Sequence, residues 1–192
     1  LIPSQMFNAI DSVPLTAIAF FMLTGELMTS ATITDRLVAL SRALIGRIRG
    51  GLAQVNVLVS MFFAGMNGSV VADTATVGAL VLPAMKKAGY PAAFSAAVTG
   101  VSSTIGGIIP PSIMMIVLAN STEISIAALF AAGIIPGVLI GVVIMIINHY
   151  FAIKYNFERS DEPFSIRRAG RELYRSSFAL LIPLVLVGSV MG

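Results

Sequence analysis

Apolar runs alternate with short polar or basic segments along almost the whole chain. Pro14 to Met28 is the first run, interrupted only by Thr16, Thr24, Gly25 and Glu26. Thr34 to Arg49 has a different pattern: Leu37, Leu40, Leu44, Ile45 and Ile48 recur at helical spacing, with Arg36, Arg42, Arg47 and Arg49 beside or opposite them. That predicts a helix capped by Thr34 and lying in a membrane interface. Leu52 to Met66 and Val70 to Pro83 follow, separated only by Asn67-Gly68-Ser69. At 1.5 Å per residue each makes a helix of about 20–25 Å, short of the roughly 30 Å hydrocarbon core. Arg47 and Arg49 precede this pair and Lys86 and Lys87 follow it, so the chain enters and leaves by one face. A re-entrant hairpin over 52–83, with its tip at Asn67-Gly68-Ser69, satisfies both length and charge.

Pro91 to Ala119 begins with small residues, among them Ala92, Ala93, Ser95, Ala96, Ala97, Thr99 and Gly100, which let membrane helices approach closely. Gly106-Gly107 then loosens the backbone, and Pro110 and Pro111 each remove an N–H and bias the preceding residue away from α. The pattern predicts one crossing made of two half-helices, Ala92 to about Thr104 and Ser112 to Ala119. Asn120 to Ser125 lacks positive charge and suits the outer side. Ile126 to Tyr150 returns, with Gly133, Gly137 and Gly141 four apart and Pro136 a predicted kink. Lys154 to Arg175 is a second basic block with an interfacial helix expected from near Ser165, and Phe178 opens a last apolar run. The pattern gives an all-α polytopic membrane protein of four spans plus one hairpin. Residues 30–51, 84–90 and 154–176 then share the cytoplasmic side.

Composition supports this class. Hydrophobic residues are 57% of the chain and charged residues 11%, against about 25% charged in an ordinary soluble domain. The net charge of +3 sits in blocks between apolar runs, which membrane topology explains better than nucleic-acid binding does. Cysteine is absent, which excludes disulfides and thiolate metal sites. The chain begins at Leu1 and stops at Gly192 within an apolar run, as a piece of a longer protein would.

Candidate chemistry lies at the two polar breaks. Lipid cannot satisfy unwound backbone, so such breaks survive only when buried in protein or lining a cavity. Half-helix N-termini suit anions, and unwound carbonyls suit cations. Asn67, Ser69, Ser102, Ser103 and Thr104 add oxygens fitted to a hard cation such as Na⁺. Asp73 stands one turn into the second hairpin helix, as a helix-end brace or as a cation or proton site. Enzyme chemistry finds no support: Asp73 has no deep acidic partner, and Ser69 and His149 belong at different depths. A structural assembly subunit is the other class, but its mark would be continuous helices without polar breaks.

The runs Phe63-Ala-Gly-Met-Asn-Gly-Ser-Val-Val-Ala-Asp-Thr-Ala-Thr-Val-Gly78 and Ser102-Ser-Thr-Ile-Gly-Gly-Ile-Ile-Pro-Pro-Ser-Ile113 resemble the large membrane subunit of tripartite ATP-independent periplasmic (TRAP) transporters. Asp11 to Pro14, Phe20 to Met28, Gly46 to Asn56 and Ala128 to Gly137 fit the same pattern. The resemblance implies an elevator-type secondary transporter with two inverted repeats, of which this chain holds the first. It implies sodium-coupled uptake of an organic acid such as a sialic acid or C4-dicarboxylate across the bacterial inner membrane; proton coupling is the alternative. Implied partners are a small membrane (Q) subunit and a periplasmic substrate-binding protein (P subunit), with no organic cofactor.

Carried onto this sequence, the resemblance puts ion binding at Asn67, Gly68, Ser69, Asp73, Ser103, Thr104 and Gly106, with Na⁺ at Ser69, Ser103 and Gly106. Substrate contacts fall at Asn67, Ser69, Gly107, Pro110 and Pro111. The tip departs from the usual Ser-Gly-Ser at Asn67, and Gly107 stands where proline is common. The implied division makes 52–119 a moving transport domain, 1–51 a scaffold span with its interfacial arm helix, and 126–192 scaffold spans with the cytoplasmic linker 154–176.

Overall fold

The computed structural model describes residues 16, 18–20, 22–23, 27, 33–45, 48–157, 169–177, 181, 185 and 188. Most of the runs from Pro14 and from Phe178, and the start of the helix expected near Ser165, lie outside the described residues. Those that are described are helical, with no strand among them. In order they are α1 (Ile33–Ile45), α2 (Gly51–Asn67), α3 (Val70–Lys87), α4 (Ala92–Ser103), a 3₁₀ turn (Thr104–Gly107), α5 (Ile113–Thr122) and α6 (Ile126–Lys154). Residues 169–177 form a further helical segment.

Serines start three of these helices. Ser69 Oγ accepts from Ala72 N at the head of α3, Ser112 Oγ from Met115 N at α5, and Ser125 Oγ from Ala128 N at α6. Each satisfies one of the orphan N–H groups that a helix start leaves open. Two boundaries differ from expectation. α3 runs through Pro83 to Lys87: Pro83 forfeits one intrahelical bond, but it is exposed, and Lys86 and Lys87 complement the C-terminal dipole. Thr34 lies inside the first turn of α1 rather than capping it. That helix stops at Ile45, ahead of a turn in which Gly50 takes φ +72°.

α2 is the central element. It is buried on most sides, with Val55, Val57, Val59, Phe63 and Met66 in the core, as expected of a helix surrounded by others. It packs against α1, α3, α4 and α6. α6 is the opposite: only Phe130, Gly133, Gly137, Gly141, Ile144, Asn148 and Ala152 are buried, one stripe at helical spacing, and most of its other apolar residues are exposed. With 29 residues it is about 43 Å long, enough to cross a bilayer.

Contacts along α6 measure how deep the hairpin reaches. Gly50 lies against Ala152, Gln54 Nε2 donates to the Met145 carbonyl (2.8 Å), and Met61 Sδ rests on Gly141. Beyond that, Ile109 of the break meets Gly137, and the Ile108 carbonyl meets Gly133. The tip Gly68 touches Pro111 of the same break. The hairpin therefore turns back partway along α6, near Gly133 to Gly137.

The opposite end gathers the basic loops. Asn156 (φ +50°) closes α6 as Phe157 N donates to the Ala152 carbonyl (3.0 Å), a helix stop with a left-handed residue. Phe157 then packs its ring at a tilt against Tyr90 (centroids 4.6 Å) and Phe94 (5.0 Å). Arg49, Lys86, Lys87 and Lys154 thus share one end of the bundle, the arrangement that the charge pattern required. α1 lays Leu37 and Leu40 into the core and leaves Arg36 and Arg42 exposed. Arg36 Nη1 donates to the Arg175 carbonyl (3.2 Å) and Ser176 Oγ donates to the Arg36 carbonyl (3.3 Å), which ties the two basic segments together.

Candidate functional site

The hairpin tip and the helix break meet because the tip residue is glycine. Gly68 adopts φ +59°, and a Cβ there would collide with the Pro111 carbonyl. A side chain would be strained by conformation and blocked by backbone that cannot rotate away. Gly68 O in turn accepts from Ile113 N (3.2 Å), locking the tip to the first turn of α5. Gly106 packs against the Ser69–Val70 backbone and Gly107 against the Val70 side chain. The glycines predicted to loosen the backbone thus also form the surface on which the tip rests. Pro110 and Pro111 are buried and joined by a cis peptide.

Asn67, at the end of α2, has its carbonyl oxygen fixed by the Ser69 N–H (3.1 Å), while its Nδ2 is buried without a protein partner. That assignment presents donors, suited to a carboxylate rather than to a cation. Ser69 Oγ caps α3 and is half-buried. One turn further on, the Asp73 side chain is fully buried, and neither carboxylate oxygen has a hydrogen-bond partner among the described residues. The hydroxyls of Ser60 and Ser103 lie beside it without reaching hydrogen-bond geometry. Ser103 Oγ is itself buried and unpartnered. A desolvated carboxylate with unmatched oxygens is among the costliest arrangements inside a protein unless a cation or proton neutralises it. Carboxylate and hydroxyl oxygens together are ligands for a hard monovalent cation.

Of the residues singled out from sequence, the structure brings Asn67, Gly68, Ser69, Gly106, Gly107 and Pro111 into one contact region. Asp73 and Ser103 come together next to it. Thr104 is placed otherwise: it is exposed, and its hydroxyl donates to the Val101 carbonyl of its own helix (2.7 Å). One residue along a helix turns the side chain by about 100°, which carries Thr104 off the face that Ser103 occupies. The sequence reading missed Asn56, Ser60 and Thr99. Asn56 Nδ2 donates to Thr99 Oγ1 (2.7 Å), Asn56 Oδ1 accepts from Ser102 Oγ (3.2 Å), and Ser102 and Ser60 share a hydrogen bond (3.2 Å). Their signal was available: Asn56 and Ser60 on α2, and Ser95, Thr99 and Ser102 on α4, recur at helical spacing and form two polar stripes that face each other.

The whole chain, residues 1–192, matches the family described as the tripartite ATP-independent periplasmic transporter, DctM component. Among curated proteins it is 39% identical over 189 residues to the sialic acid TRAP transporter permease protein SiaT of Haemophilus influenzae, covering 98% of this chain and 30% of that one. It is 36% identical over 188 residues to the sialic acid TRAP transporter large permease protein SiaM of Vibrio cholerae, with 98% and 44% covered. It is 41% identical over 148 residues to the C4-dicarboxylate TRAP transporter large permease protein DctM of Pseudomonas aeruginosa, with 77% and 35% covered. The chain spans less than half the length of each.

Proposed function

The chain belongs to the DctM family of TRAP transporter permeases, and from that premise we propose that it forms one half of a sodium-coupled uptake route for an organic acid. The observation that carries this reading is the buried Asp73 carboxylate, unpartnered beside the unpartnered Ser103 hydroxyl, next to the hairpin tip clamped on the helix break. Sodium on Asp73 and Ser103 would neutralise a charge that protein groups leave unmatched, with break carbonyls near Gly106 as further oxygen ligands. Asn67 Nδ2, buried without a partner at the tip, is the donor best placed for a substrate carboxylate. Because α3 and the tip carry both groups, cation binding would order the surface on which the substrate lands, and this is the coupling.

We place the basic end, with Arg49, Lys86, Lys87 and Lys154, in the cytoplasm of a cell whose inner membrane holds the chain. Relatives named for sialic acid and C4-dicarboxylate fit a carboxylate cargo, and their TRAP name implies a small membrane subunit and a periplasmic binding protein as partners. In an elevator cycle the hairpin, the break and α6 would move together. α6 seats Gly133, Gly137 and Gly141 directly on the break and on α2, an interface too close for sliding, which favours grouping it with the mover rather than with the scaffold suggested by sequence. A crosslink between Met61→Cys and Gly141→Cys is therefore expected to leave uptake intact.

The functional test is uptake by the full-length permease, with both partners, in proteoliposomes. The expected result is carboxylate accumulation under an inward sodium gradient and none when choline replaces sodium. Accumulation that follows an imposed proton gradient without sodium would overturn the coupling.

A further inference from the structure

Ser102 stands among three acceptors with one hydrogen to give. Its Oγ lies 3.2 Å from Asn56 Oδ1, 3.1 Å from the Thr99 carbonyl and 3.2 Å from Ser60 Oγ. Asn56, Ser60 and Ser102 are fully buried and Thr99 nearly so, so no bulk water serves them. Asn56 is the fixed terminus: its Nδ2 is committed to Thr99 Oγ1 and leans on Met85 Sδ (3.8 Å), so its Oδ1 can only accept. Ser60 is the other terminus, its hydroxyl near the Asp73 carboxylate but short of hydrogen-bond geometry to it.

Two hydrogen arrangements are open to this chain, and they present opposite faces of Ser60 to Asp73; the one that turns the Ser102 hydrogen to Ser60 leaves Asn56 Oδ1 without a donor. When Ser102 donates to Ser60, the Ser60 hydrogen is released toward the carboxylate. When Ser102 donates to Asn56 Oδ1, Ser60 donates back to Ser102 and turns a lone pair toward the carboxylate. The first arrangement suits a bare anion, which wants a donor. The second suits a carboxylate carrying a cation, which wants another oxygen. We propose that Asn56, Ser102 and Ser60 form a hydroxyl relay that makes Ser60 a sodium ligand when the ion sits at Asp73 and a hydrogen-bond donor to Asp73 when it leaves. Ser60 is then a binding residue, and Ser102 and Asn56 are positioning residues acting through it. The relay stabilises the ion-free carboxylate enough for release, which a coupled transporter needs as much as it needs binding. This inference rests on the sodium reading above.

The test uses full-length permease with its small membrane subunit in detergent. Its thermal midpoint is followed as sodium chloride replaces choline chloride, since a ligand bound only by the folded state raises that midpoint with concentration. Ser102→Ala removes the acceptor that Ser60 needs in the ion-bound arrangement. It is expected to raise half-saturating sodium about tenfold, the worth of one hydrogen bond, with the shift at saturation preserved. Asn56→Ala is expected to raise it only about two- to threefold, because the Thr99 carbonyl takes the Ser102 hydrogen instead. Ser102→Thr, which keeps the hydroxyl, is expected to restore the wild-type value. Ser95→Ala, whose hydroxyl bonds only the Pro91 carbonyl, is expected to leave it unchanged. A Ser102→Ala protein with a lower midpoint but unaltered half-saturation would show mere packing and overturn the relay. A wild type insensitive to sodium would remove the underlying coupling and the relay with it, a distinct result.

Discussion

Two buried polar clusters share helices α2 and α4, about a turn or two apart, and they are built in opposite ways. Around Asn56, side-chain donors and acceptors find partners: Thr99, Ser102 and Ser60 close a chain across the two helices. Around Asp73 no described residue pairs with the charge: both carboxylate oxygens, Ser103 Oγ and, at the tip, Asn67 Nδ2 are buried without hydrogen-bond partners among the described residues. A satisfied network fixes one packing of its helices, whereas an unsatisfied one stores a demand that only a ligand meets. Burial alone does not mark a site. Burial with unmatched valence does.

The comparison breaks most severely where the clusters are held in register. Gly68→Ala forces a side chain onto the Pro111 carbonyl in a left-handed conformation. It is expected to abolish uptake and to lower stability by about 3 kcal/mol or more, read by thermal unfolding and transport in the same preparation. Asp73→Asn should abolish sodium-driven uptake as well but carry the opposite sign in stability. Removing an uncompensated buried charge should leave the sodium-free protein as stable as wild type or up to about 3 kcal/mol more stable. Asn56→Ala reverses that pairing. It removes the amide that bridges Thr99 and Ser102 across the two helices, lowering stability by about 1–3 kcal/mol, while uptake at saturating sodium persists. Thr104→Ala is the smallest change: its exposed hydroxyl bonds only its own helix, so stability within about 0.5 kcal/mol of wild type and unaltered uptake are expected.

Much of this was legible in the chain itself. Asn67-Gly68-Ser69 and Gly106 to Pro111 punctuate apolar sequence so abruptly that only a buried turn and a broken helix accommodate them. The lengths and charged flanks of the first pair then required a hairpin, and the basic residues Arg49, Lys86, Lys87 and Lys154 do meet at one end. Pairing across helices was less visible. That Asn56 faces Thr99 depends on the height at which α2 meets α4, which the seat of Gly68 on Pro111 sets, and no local pattern encodes it. Thr104 looked equivalent to Ser103 because composition ignores the 100° between neighbours. Pro83 looked like a stop because propensity ignores neighbours; with its ring exposed and two lysines following, the helix continues.

The central claim is that Asp73 holds the coupling ion, and equilibrium binding of radiolabelled sodium to purified full-length permease, without substrate, tests it most directly. The account predicts saturable binding in wild type and, in Asp73→Asn, loss of the component at this site while the protein stays folded in choline. Equal stoichiometry and affinity in the two proteins would contradict it.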